Sequence, residues 1–145
     1  MTVSRRKARE HALQLLYAYE VSQNPIEDIL QESTVIIEDG SPFDPFTVEL
    51  VKKSIECKES CAQLIKKHAR NWEIHRIALL DKLILRIAMT EFLHISEIPP
   101  KVTINEALEI AKTFSTGKSV RFINGILNAV HEELVSDRSR HSSNG

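Results

Sequence analysis

Glycine is scarce in this chain, with four residues among 145. None is arranged as a loop that could cradle phosphate with backbone N–H groups, which excludes the Gly-rich nucleotide-binding turns. Cysteine is scarcer, limited to Cys57 and Cys61, too few for a disulfide framework. No apolar run approaches the roughly 20 residues that a membrane span requires. The opening residues lack the apolar stretch of a secretory signal. They are Arg-rich in the manner of a transit peptide, but Glu10 and an acidic segment follow, so the expected compartment is the cytoplasm. No segment alternates apolar and polar residues as a half-buried strand would. The formal net charge is only −1. That balance argues against indiscriminate coating of nucleic acid and permits a small, directed anion-binding patch.

The means for catalysis are also thin. Six histidines are scattered along the chain, and the two glutamates after His131 lack the second histidine of a zinc-protease helix. No serine sits on a recognisable nucleophile turn. Cys57 and Cys61 share a helical face with His68. At a rise of about 1.5 Å per residue, however, Cys61 and His68 lie roughly 10 Å apart along the axis, and a fourth ligand is missing. Two buried structural thiols are the expectation, with no metal, no cofactor and no enzyme activity.

What the chain has in abundance is helical periodicity. A first helix from about Ser4 to Val21 carries Ala8, Ala12, Leu15, Leu16 and Tyr19 on one face. Asn24-Pro25 opens a short second helix to about Glu32, and Ser33 to Pro45 reads as a loop. A third helix runs to about Ala69. Ile77 to Ile95 is apolar around most of its circumference, which places it centrally. Thr103 and Glu106 have the spacing of a capping box for the next helix. The last helix starts near Ser119, with Gly125 inside it, where glycine costs about 1 kcal/mol relative to alanine and suggests a close backbone approach. The expected fold is all-α, six or seven helices in two small packed bundles. Residues 1–70 and 71–136 form the two subdomains, and 137–145 a disordered tail.

Charge is unevenly placed. Arg5, Arg6, Lys7 and Arg9 crowd the start of the first helix, where the helix dipole disfavours cations. From Glu10 to Val51 there is no Lys or Arg, against nine Asp or Glu residues. Several guanidinium groups on a short arc suit phosphates, which arginine grips with paired donors. A second candidate is the polar corner before the last helix, where Lys118, Arg121 and Phe122 combine cations with an aromatic ring that would suit a flexible single strand. Tyr17, further along the first helix, is a candidate for stacking on a base.

Taken in order, RRKAREHALQLLY, LLDKLILRIAMTEF, KVTINEALEIAKTF and RFINGIL closely resemble the NusB family of bacterial transcription antitermination factors, from about Arg5 to Leu134. The resemblance implies an all-helical fold and binding to the boxA element of nascent ribosomal-RNA leaders together with ribosomal protein NusE. It also implies assembly with other Nus factors on RNA polymerase. Carried over by position, RNA contacts would fall on Arg5, Arg6, Lys7, Arg9, Tyr17, Lys118, Arg121 and Phe122, and NusE contacts on Leu80 and Asp81. Two alternatives stand beside this reading. One is a helical adaptor that never touches RNA. The other is a detached NusB-like domain of a ribosomal-RNA cytosine methyltransferase of the RsmB type, although no cofactor-binding βαβ pattern is present. A homodimer that hides its RNA face remains compatible with an amphipathic helical chain.

Overall fold

The computed structural model describes residues 4–33, 43–69 and 77–143. Among them are seven helices and no strand. Helix α1 (Arg5–Ser22) is capped by Ser4, whose Oγ accepts the Lys7 N–H at 3.1 Å, satisfying one of the free donors of the first turn. It stops where Gln23 turns left-handed, at φ 62°, and returns its N–H to the Tyr19 carbonyl. Helix α2 (Ile26–Ser33) follows Pro25, with Glu27 and Asp28 in its first turn, where acids complement the dipole.

The third expected helix is two. Helix α3 (Pro45–Glu56) starts from Asp44, which caps the Phe46 N–H at 2.8 Å. It gives way at Cys57 to α4 (Lys58–His68). Cys57 sits at φ −86° and ψ 3°, yet its N–H still bonds Lys53 O and its carbonyl still receives the Cys61 N–H. The bend therefore keeps the backbone bonds of Cys57 itself, and the apolar periodicity runs across it unbroken. That is why the pattern alone does not reveal it.

Helix α5 (Leu79–His94) is the axis of the protein. Every residue from Leu83 to Phe92 is buried, and α1, α3, α4, α6 and α7 all pack against it. Each fully buried Leu, Ile or Phe of this helix contributes about 1.5–3 kcal/mol relative to exposure. Helix α6 (Pro100–Phe114) begins three residues before the expected cap. Pro100 opens it, a position where the missing N–H costs nothing. Thr103 thus lies inside the helix, and Glu106 points to α1 instead of closing a cap. One apolar cluster includes residues of all seven helices. The expected subdomain boundary near Asn71 and most of the Ser33 to Pro45 loop lie outside the described residues.

Two further expectations change in α7 (Gly117–Ser143). The segment expected to be a disordered tail continues the helix to Ser143, since nothing after Asp137 breaks a helix before that point and propagation is inexpensive. Gly125 faces open space: a Cβ built there meets nothing within 4 Å. The close backbone approach expected of it is absent. Gly125→Ala should therefore raise folding stability by about 1 kcal/mol, read as an upward shift of the denaturant midpoint at unchanged m-value. A downward shift would show that the glycine is needed where it stands.

Candidate nucleic-acid interface

Most of the crowded cations at the start of α1 are answered from other helices. Arg5 lies over the Phe46 ring of α3, 4.0 Å from its centroid. Arg6 reaches across to α6, its Nε donating to Glu106 Oε2 at 2.6 Å and its Nη2 to Oε1 at 3.1 Å. Lys7 stands 3.5 Å from Glu10. All three remain exposed. The unfavourable placement at a helix start is thus offset by Glu106 and Phe46, far away in sequence, and by Glu10 on the same helix. The Glu106 carboxyl is held below its usual range, first by the Arg6 hydrogen bond, and the same bond raises the Arg6 guanidinium. A depressed carboxylate contributes stability above its unfolded pKa and loses it as pH falls through the folded one. At this exposed pair the contribution is small.

Arg9 does not belong with them. It is buried, and its Nε and Nη2 each donate to Glu91 of α5 at 2.8 Å. Glu91 Oε1 also accepts from the Thr103 hydroxyl at 3.0 Å. A guanidinium whose fork is filled by a carboxylate inside the core is closed to a phosphate backbone, which corrects the expectation for Arg9. The signal was in the sequence. Arg9 falls in phase with Ala12, Leu13 and Leu16 on the buried face, and Glu91 lies among the buried residues of the central helix.

A second locality lies about 18 Å further along α1, at 1.5 Å per residue from Arg5 to Tyr17. There Leu13, Gln14, Tyr17, Ala78, Leu79, Leu80 and Phe114 line an open apolar groove of about 460 Å³. Tyr17 is 46% exposed and Phe114 36%. Tyr17 therefore groups with Leu80 and not with the arginines. Phe114 and Leu79 were missed as site residues because apolar side chains on amphipathic helices read as core.

Asp81, beside Leu80, is buried. Its Oδ1 accepts from Ser115 Oγ at 2.8 Å and its Oδ2 from Ser119 Oγ at 2.6 Å. It clasps the α6–α7 corner and offers no carboxylate to an incoming partner, which corrects the expected protein contact there. The same clasp brings the corner next to the groove. Lys118 and Arg121 are exposed on the first turns of α7, whereas Phe122 is half-buried against the core.

The cysteines behave as structural thiols. Both are free and buried, and burial pushes the Cys61 thiol up to about 12. His68 turns to Glu133 of α7, with Nε2 3.3 Å from Oε2. Among the described residues no three His, Cys, Asp or Glu side chains are placed to hold a metal. No described helix is long and apolar enough to cross a membrane.

Helices around a central rod, with exposed cations at the start of α1 and at the α6–α7 corner and an apolar groove beside that corner, offer surfaces suited to holding other molecules. The fold matches that of T. maritima NusB, with a TM-score of 0.78 and 31% identity over 92% of this chain and 94% of that one. A crystal structure of antitermination factors NusB and NusE in complex with double-stranded RNA contains the same fold, at a TM-score of 0.76 and 21% identity over 89% of this chain and 96% of that one. The transcription antitermination protein NusB of Chloroherpeton thalassium is 42% identical over 99% of this chain and 68% of its own length. The NusB family model matches residues 6–132. The chain belongs to the NusB family.

Proposed function

We propose that this chain is a non-enzymatic, cytoplasmic transcription antitermination factor that binds the boxA element of nascent ribosomal-RNA transcripts together with ribosomal protein NusE. The observation that carries this reading is the match of nearly the whole helical chain to antitermination proteins. The geometry supports a division of labour. Arg5, Arg6 and Lys7 supply phosphate contacts at the start of α1, and Lys118, Arg121 and the edge of Phe122 supply contacts at the α6–α7 corner. The groove walled by Tyr17, Leu80 and Phe114 receives NusE, because an exposed apolar trough with two aromatic rings suits a protein partner better than a polyanion. Tyr17 thereby moves from the RNA side to the partner side. The assembly then joins other Nus factors on RNA polymerase.

A titration of boxA RNA against a scrambled RNA, with and without NusE, tests the reading. Tighter binding of boxA, enhanced by NusE, is the expected result. Equal affinity for both RNAs in both conditions would favour an adaptor that does not read RNA.

A further inference from the structure

The Arg6–Glu106 pair has a second meaning beyond relief of crowding. A carboxylate seated in a guanidinium fork uses the same planar, two-point arrangement that a phosphate uses. Here the fork is filled, with bonds of 2.6 and 3.1 Å, but the pair is open to solvent: the Arg6 side chain is 50% exposed and that of Glu106 20%. Arg9 shows the contrasting case. Its fork is filled by Glu91 in the core and further locked by Thr103, so nothing from outside can exchange with it. Arg6 is paired yet exchangeable, and its partner is fixed on a different helix, so the arginine can leave while the carboxylate stays.

We propose that Glu106 is a built-in competitor for the RNA backbone, a carboxylate occupying the Arg6 fork that an incoming phosphate must displace. The proposal rests on the RNA-binding reading above and adds to it a limit on affinity. Phosphate contacts carry no sequence information. A carboxylate that has to be displaced weakens the binding of every RNA alike, and once displaced it stays close enough to repel the phosphate that replaced it. Every complex that uses the Arg6 contact is shortened by the same factor, whether or not it adds base contacts. Glu106 thus limits the strength of RNA binding without touching a base, and discrimination between RNAs stays with the base contacts.

The test is a set of titrations in the presence of NusE, using single-stranded boxA and scrambled RNAs against the parent chain, Glu106→Gln, Arg6→Gln, the double variant and Glu109→Gln. Glu109 is the control. It lies on the same helix and acts on Arg6 only through space, being hydrogen-bonded to Lys112. Removing its charge tests general repulsion without freeing the fork. Glu106→Gln should tighten both RNAs by about twofold to fivefold, the range expected for releasing an exposed ion pair. Glu109→Gln should leave affinity unchanged, and the gain from Glu106→Gln should vanish when Arg6 is already glutamine. The proposal is overturned by no tightening, by equal tightening with Glu109→Gln, or by a gain that survives in the Arg6→Gln background. Failure of the parent to bind either RNA would instead overturn the functional reading, and this inference with it.

Discussion

Arg9→Ala lowers folding stability by about 3–5 kcal/mol, the expected cost of stranding a carboxylate in the core. Glu91 loses both guanidinium bonds and keeps only the Thr103 hydroxyl, with almost no water within reach. Domains of this kind are stable by about 5–15 kcal/mol in total, so the variant sits near the edge of folding. Glu91→Ala should cost a similar amount, because it leaves the guanidinium unpaired instead. The paired replacement Arg9→Met with Glu91→Leu removes both charges and fills the space. It should recover most of the loss, as buried ion pairs exchanged for apolar packing commonly do. Denaturant melts of the parent and these three variants compare the costs. The recovered double variant should also bind RNA like the parent. A double variant that folds but has lost RNA affinity would return Arg9 to the binding surface.

Asp81→Lys should likewise act on the fold first. The substitution removes two short acceptors from Ser115 and Ser119 and places a cation in the first turn of α5, where the dipole disfavours it. A loss of about 3–5 kcal/mol is expected, with the α6–α7 corner released. Tyr17→Ala is the useful comparison. That side chain is nearly half exposed on the groove, so its loss should leave stability within about 1 kcal/mol of the parent while weakening NusE. Thermal melts beside NusE titrations separate the two effects. An Asp81→Lys chain with the parent's melting temperature and no NusE affinity would put Asp81 back at the partner surface.

Most of the fold was legible because helices announce themselves by period. The central position of α5 followed directly from an apolar circumference, the start of α1 was placed near Ser4, and that of α3 after the loop ending near Pro45. The break at Cys57 was hidden, since the apolar period runs across the bend intact. The true start of α6 was hidden by a capping pattern at Thr103 that its proline start pre-empts. For the site, residue type was a good guide to exposed cations and a poor one to buried ions. Arg9 and Asp81 look like ligand-binding groups in a string of letters. Only the helices opposite, which supply Glu91, Ser115 and Ser119, show that their valences are already filled. Glu106 was misread for the complementary reason, because its partner lies 100 positions away.

The two cysteines carry a consequence of their own. With the thiol of Cys61 pushed up to about 12 and both sulfurs enclosed, the folded chain presents almost no thiolate to an oxidant or an alkylating agent. Reactivity returns only when the helices at the Cys57 bend come apart. The oxidation state of this protein therefore records its folding history: a chain found modified at these positions had opened first.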